Sequence, residues 1–271
     1  MEIEYSPGFM DAWEESDLSV SSSGYVTTDA TWRQMPLPSP YSRLYFVTGG
    51  SGMIISDTEQ LPLEPGYVYL APCGASCGFY GTDSVTKLFF HINFTMPNGY
   101  DLFASCKKFL RIPYSVSRTE QLSHWFRSND TVKLALLKCS IWEVVASFAS
   151  MLRLADGEQG NYSESVRKAI AYIRENLAAG LTVKTVADAV FCSSGVLSQA
   201  FHQEIGVTIG QYIEDLVMQE AQWRLLESNG SIGQISSELG FCDQFYFTRR
   251  FSKRFQISPR DYRRSRAKYG I

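Results

Sequence analysis

Residues 201–212 (FHQEIGVTIGQY) and 251–262 (FSKRFQISPRDY) superimpose at an offset of 50, placing Phe201 on Phe251, Thr208 on Ser258 and Tyr212 on Tyr262. Upstream, TVKTVADAVF matches SIGQISSELG at an offset of 49, so one residue is inserted in the second turn. A unit repeated at this period is one supersecondary motif, and each copy reads as short helix, tight turn, second helix, the helix-turn-helix layout. Ser231 with Gln234 three residues on forms a capping box that opens the second unit. Asp243 suits the N-cap of a helix over 244–255, where Phe247, Phe251 and Phe255 recur every four residues as an inward stripe. Ser258 and Pro259 supply an N-cap and a first-turn proline for a last helix. Between the units, residues 209–228 read as one helix, roughly 30 Å long at the standard rise per residue. Successive major-groove faces of a duplex lie roughly 34 Å apart, so one stiff rod seats both units on the same side of DNA.

Charge is divided in the same way. The 271-residue chain has a formal charge of −3, but from residue 162 onward 14 basic residues face 11 acidic ones, leaving 11 basic and 17 acidic before it. Within residues 249–268 nine basic residues face a single acid, which suits a polyanion partner; a solvated helix face is the plainer reading of charge alone. The second helix of each unit would present its N-terminal residues to base edges. In the second unit these are Gln244, Phe245, Thr248 and Arg249, with Arg250, Lys253, Arg263 and Arg264 on phosphate. In the first they are Gly195, Ser198 and Gln199, with Ser194 on phosphate. Glutamine pairs with adenine and arginine with guanine through two hydrogen bonds, and an aromatic edge meets a thymine methyl.

The first half has a different period. Up to about residue 94, short alternating runs such as YSRLYFVTGG, GYVYLAP and SVTKLFFHINF are broken by Gly, Pro, Asn and Asp, an all-β pattern of sandwich or barrel type. Residues 131–153 then read as a long helix with Leu134, Leu137, Ile141, Val145, Phe148 and Leu152 on one stripe and Trp142, Val144 and Met151 off it. One face would cover the β-domain, and another would pair with a second copy of the chain. The polar, Gly-bearing stretch ADGEQGN marks a linker at 155–162, dividing a domain at 1–154 from one at 163–271. No run is read as long and uncharged enough to span a bilayer, and the N-terminus lacks a signal-peptide pattern, so a cytoplasmic protein is expected. The six cysteines contain no C-x-x-C pair and are expected to be reduced core thiols. The only histidines, His91, His124 and His202, cannot supply a His-x-His pair, so no metal, cofactor or catalytic residue is expected.

The segment GFCDQFYFTRRFSKRFQISPRDYR closely resembles the C-terminal motif of AraC/XylS-type transcription regulators: Gly-Phe, Asp, an aromatic pair, Phe, Lys, Ser/Thr-Pro and Tyr-Arg at these spacings. The likeness extends back to about residue 163. It implies an α+β multidomain chain: an N-terminal cupin-like β-barrel with a helical dimerisation segment, and a C-terminal all-α double helix-turn-helix domain that binds double-stranded DNA. The family's base-reading positions fall on Gly195, Ser198, Gln199, Gln244, Phe245, Thr248 and Arg249. Departures are Val217 for the usual Arg before Ala221, Gln256 for the usual Gly, and Ser236 for the usual Ala. Because Gly195 has no side chain, the second unit is expected to contribute more affinity.

YSRLYFVTGGSGMII, LEPGYVYLAPCGASCGF and KLFFHINF resemble the cupin-like sensor domain of sugar-responsive members, with Cys77 near the position of a common His. Strand parity puts Lys87, Phe89, His91 and Asn93 on one face, and Leu88, Phe90, Ile92 and Phe94 on the other as core. Trp32, Arg43, Tyr45 and His91 are the expected effector residues, for a sugar or other small polar metabolite. A homodimer through the helix at 131–153 is expected, and RNA polymerase is a candidate partner. Two other readings stay open: a non-enzymatic helical protein-interaction module, and a DNA-binding regulator without a small-molecule effector.

Overall fold

The computed structural model describes residues 17–29, 31–152 and 162–269. The chain separates into two compact units, residues 1–159 and 160–271. The linker expected at 155–162 lies, except for its last residue, outside the described residues, as does Arg153 at the end of the expected long helix.

The first unit is one antiparallel sheet of seven strands: β1 (Asp17–Thr28), β2 (Arg33–Pro38), β3 (Ser42–Ile55), β4 (Gln60–Leu63), β5 (Tyr67–Ala71), β6 (Ser76–Thr95) and β7 (Leu110–Pro113). The strand path is β1-β6-β3-β5-β7, with β2 on β6 and β4 on β3. β1 and β7 are not paired to each other, so the expected barrel is an open sheet. Alternation predicts strands but not the long-range pairing that closes them. Besides pairing with each other, β3 and β6 each take two further partners along their length: β6 pairs β2 over Ser76–Tyr80 and β1 over Val85–Thr95, and β3 changes from β5 to β4 after its register shifts near Gly49–Gly52. Gly50, at φ 77°, sits at this bend, and a Cβ there would run into the Ser84 carbonyl.

Both sheet faces are buried. One carries Leu44, Phe46, Val68, Leu70, Leu88, Phe90 and Ile92 and packs against helices α1 (Val116–Phe126) and α2 (Thr131–Met151). The other carries Trp32, Tyr45, Val47, Ile54, Tyr69, Cys77, Phe79 and Phe89. Helix α2 starts at Asp130, whose carboxylate accepts from the amides of Val132 and Lys133. Its buried stripe is Leu137, Ile141, Val144, Val145 and Phe148. Val144 therefore belongs to the core side, while Leu134, placed on that stripe from its spacing, is exposed. By length and composition alone α2 is apolar enough to cross a membrane, contrary to the expectation that no segment is. Packing buries 33% of that apolar stretch, and the exposed remainder needs another explanation. Cys73, Cys77 and Cys106 are buried thiols as expected, but Cys139 and Cys242 are exposed.

The second unit contains α3 (Glu164–Glu175), α4 (Val183–Ala189), α5 (Ser194–Ile205), α6 (Ile209–Glu227), α7 (Ile232–Glu238), α8 (Gln244–Phe255) and α9 (Pro259–Tyr269). Its repeat is legible in the caps. Thr182 and Ser231 accept from the amides of Thr185 and Gln234, Ser193 and Asp243 from those of Val196 and Tyr246, and Thr208 and Ser258 from those of Gln211 and Asp261. These three pairs stand at the 49- and 50-residue offsets of the sequence repeat, and each satisfies an otherwise unpaired first-turn donor. α5 and α8 both end in the left-handed conformation, at Gly206 (φ 82°) and Gln256 (φ 57°). The repeated aromatic pair packs alike: Phe201 meets Tyr212 edge-on at 5.2 Å, and Phe251 meets Tyr262 at 5.4 Å.

Ser236 differs from its counterpart in energetic terms. It is buried and its hydroxyl has no hydrogen-bond partner, whereas the matching position in the first unit is the buried Ala187. Ser236→Ala should therefore stabilise the domain by about 1 kcal/mol, since an unsatisfied buried hydroxyl costs roughly that much. Thermal denaturation should show Tm higher by a few degrees; an unchanged or lower Tm would mean the hydroxyl is satisfied.

Candidate nucleic-acid interface and buried polar site

In the second unit, Asp243 fixes where α8 begins, and the Tyr246 amide holds its carboxyl below the usual carboxylate range. The first turn of α8 then presents Gln244 and Phe245 to solvent; the Phe245 ring is 77% exposed although α8 has an apolar interior. Arg249 is exposed one turn further on, and Thr248 is half-buried between them. Gly233 of α7 leaves room for Gln244, because a Cβ there would lie 2.8 Å from its Oε1. Phe247 and Phe251 are completely buried beneath this surface and Phe255 partly so.

The basic residues of α8 separate into two sets. Arg250 is bound to Glu214 of α6 at 2.6 Å and donates to the Tyr246 hydroxyl at 2.9 Å, and Arg254 is bound to Asp215 at 2.8 Å. Arg250, expected on phosphate, is thus engaged within the domain, where it fixes α8 against α6. Lys253 and Arg249 are exposed and form no ion pair among the described residues. Arg263 is likewise turned inward, donating from Nε to the Leu225 carbonyl at the end of α6. Arg264 is exposed, with Asp261 at 3.7 Å.

The first unit offers a plainer surface. Ser194, Gly195 and Gln199 are exposed on α5 and Ser198 is half-buried. A Cβ at Gly195 would meet nothing within 4 Å, so the space in front of it is open. The sequence reading missed Phe191, which is 97% exposed with φ 56°. The signal was present in the 49-residue offset, which puts Phe191 on Gly240 (φ 75°), a turn position where glycine is the unstrained choice.

In the first unit the four expected effector residues lie together on the second face of the sheet. Arg43 is directly opposite His91, and Tyr45 opposite Phe89. Tyr41 stacks on His91 at 4.3 Å and receives the Arg43 guanidinium over its ring at 5.0 Å. Trp32 stacks on Phe79 at 4.4 Å. All four residues are buried. The sequence reading placed Lys87 on this face without selecting it. Its Nζ lies 3.6 Å from the Trp32 ring centre and 3.8 Å from that of Tyr45. Burial, reinforced by Arg43, pushes the Lys87 ammonium well below its ordinary range, and His91 is lowered by burial and by both of those cations. Lys87 Nζ, His91 Nε2 and Tyr45 OH have no hydrogen-bond partner among the described residues.

Two capped helix-turn-helix units on one helix, with polar side chains exposed at the start of the second helix of each and an exposed arginine, Arg249, in the second unit, define a DNA-binding transcriptional regulator. A helix-turn-helix domain family matches residues 170–265. Over most of its length the chain is similar to the Msm operon regulatory protein of Streptococcus mutans, 22% identical over 92% of this chain and 93% of that protein. It is also similar to the raffinose operon transcriptional regulatory protein RafR of Pediococcus pentosaceus, 23% identical over 82% and 84%. Its fold resembles that of ToxT from Vibrio cholerae, with a TM-score of 0.52 over 92% of this chain and 96% of that one, at 11% identity. Residues 170–265 therefore carry a helix-turn-helix domain, and the chain as a whole is similar to transcriptional regulators of operons.

Proposed function

We propose that the chain is a non-catalytic, cytoplasmic regulator whose affinity for DNA is set by a small molecule held on the second face of the N-terminal sheet, and that it acts as a homodimer through α2. The observation that carries the effector reading is the group of buried polar side chains, Arg43, Tyr45, Lys87 and His91, among the rings of Trp32, Tyr41 and Phe79. A sheet stabilised only by apolar contacts has no use for them, because each costs free energy unless something pairs with it. A relative named for the raffinose operon supports a saccharide or related metabolite.

The exposed apolar side of α2 supports the dimer. A ligand would act by making different contacts in two arrangements of the domains, so that paired DNA-binding units reach two half-sites in only one of them. The other reading, a helical module that holds another protein, differs in its salt dependence: neutralising several phosphates predicts a steep linear fall of log affinity with log salt. The test is titration with raffinose and related saccharides, following binding by calorimetry and DNA affinity by fluorescence anisotropy. Coupling should change DNA affinity about 5- to 150-fold, the range of typical allosteric coupling energies. A saccharide that binds the N-terminal unit and leaves DNA affinity unchanged would remove the coupling from this account.

A further inference from the structure

We infer that the effector carries an oxyanion, a phosphate or carboxylate group, which Lys87 recognises together with Arg43 and His91. This rests on the effector reading above and makes it more specific to this chain: raffinose, named in one relative, is uncharged, whereas the side chains on this face call for a charged ligand.

Three observations lead to it. First, the chemistry of this face is cationic. Arg43, Lys87 and His91 lie on adjacent antiparallel strands and share one side of the sheet; Arg43 acts on both Lys87 and His91, and Lys87 acts on His91. The one group that opposes this at Lys87 is Cys77, and burial pushes its thiol up, away from the charged form. Second, no acid pairs with Lys87 or His91 among the described residues. The only buried carboxylate there is Asp101, and its oxygens already accept from the amides of Phe94 and Phe103 and from Asn93 Nδ2. Third, donors remain unused: Lys87 Nζ and His91 Nε2 are fully enclosed and bond to nothing among the described residues. The rings of Trp32, Tyr45 and Phe79 attract an ammonium but take none of its three N–H donors as an oxygen would.

A neutral hydroxyl would satisfy one donor and leave the positive charge unopposed in a low dielectric. An oxyanion accepts from several donors and opposes the charge, with charge-assisted bonds about twice as strong as neutral ones. The aromatic rings would then cover the apolar faces of the attached carbon skeleton.

The test compares the full-length wild type with Lys87→Met, and with Lys87→Gln in case the first variant folds poorly. Tm is measured in inorganic phosphate and in chloride of equal ionic strength, then in paired probes: glucose 6-phosphate against glucose, and galacturonate against galactose. Phosphate strengthens folding generally, so the readout is the difference between wild type and variant. Removing an unpaired buried cation should raise the Tm of the ligand-free variant by several degrees and abolish the extra stabilisation by phosphate. Wild type should bind at least one of the two anionic sugars at least tenfold more tightly than its neutral partner, with phosphate or carboxylate identified by which pair separates. Equal phosphate effects in wild type and variants, or neutral probes that bind as tightly as their anionic partners, would overturn the inference. A neutral saccharide that binds and alters DNA affinity would in that case leave the effector reading standing. A Lys87-dependent anion that leaves DNA affinity unchanged would instead support the site and remove the coupling.

Discussion

Arg249→Ala is expected to lower affinity for the operator about 5- to 150-fold and to relax the preference at one base pair, whereas Gln199→Ala should cost only a few-fold. The first figure is the roughly 1–3 kcal/mol by which one bidentate side-chain contact discriminates between bases. Arg249 stands exposed one turn into α8, and no ion pair among the described residues competes for its guanidinium. Its neighbour Arg250 is a useful control, since Glu214 and the Tyr246 hydroxyl already occupy it. Arg250→Ala should weaken binding to all sequences alike by loosening α8 on α6, and should lower stability as well. Gln199 lies on the unit whose reading surface is Ser194, Gly195 and Ser198, which offers short side chains or none. Anisotropy titrations with single-base operator variants at fixed salt separate these cases, because loss of a base contact shows as lost discrimination and loss of a phosphate contact as a smaller salt slope. A larger loss for Gln199→Ala than for Arg249→Ala would transfer the main reading role to the first unit.

What the sequence made legible follows from the range of each interaction. The second unit is specified locally: its caps, its turn residues and the Phe-to-Tyr pairs that close each repeat are fixed by spacing within about a dozen residues, and the structure places them where the repeat does. Arg250 departs because helical periodicity gives a side chain's direction but not its neighbour; Glu214 and Asp215 lie on α6, about 40 residues earlier, and become acceptors only once α8 packs there. The sheet is specified by pairings between distant strands, so its faces were readable from parity while its open edge was not. Lys87 was the costliest omission. A lysine within a strand ordinarily marks the solvent side, yet its alternation with Phe89 and His91 already placed it on an interior face, and only the burial of both faces shows what that means.

The exposed side of α2 leads to the second large effect. Val132, Leu136 and Cys139 recur at steps of four and three along the helix and are all exposed, Val132 at 67% and Leu136 at 45%, opposite the stripe from Leu137 to Phe148 that covers the sheet. This is the period of a helix pair, and an apolar seam left in water is a cost that a second copy of α2 removes. Leu136→Glu places a charge in the middle of that seam at a position that contributes nothing to the core, so the fold should persist while the dimer dissociates. Light scattering should show a dimer for the wild type and a monomer for the variant. The consequence for DNA follows from effective concentration: a dimer that binds one half-site holds its second reader near the other, which typically increases affinity for a paired site by about 10²- to 10⁴-fold. Leu136→Glu should lose that increment on paired half-sites and keep the wild-type affinity for a single one. Equal losses on both would point to damaged folding, and a wild-type chain that is monomeric while bound to paired sites would show that the seam serves another partner. Cys139 provides a direct check on geometry, because two such seams facing each other bring this exposed thiol within reach of its counterpart or of a short bis-maleimide, and cross-linking should disappear in Leu136→Glu.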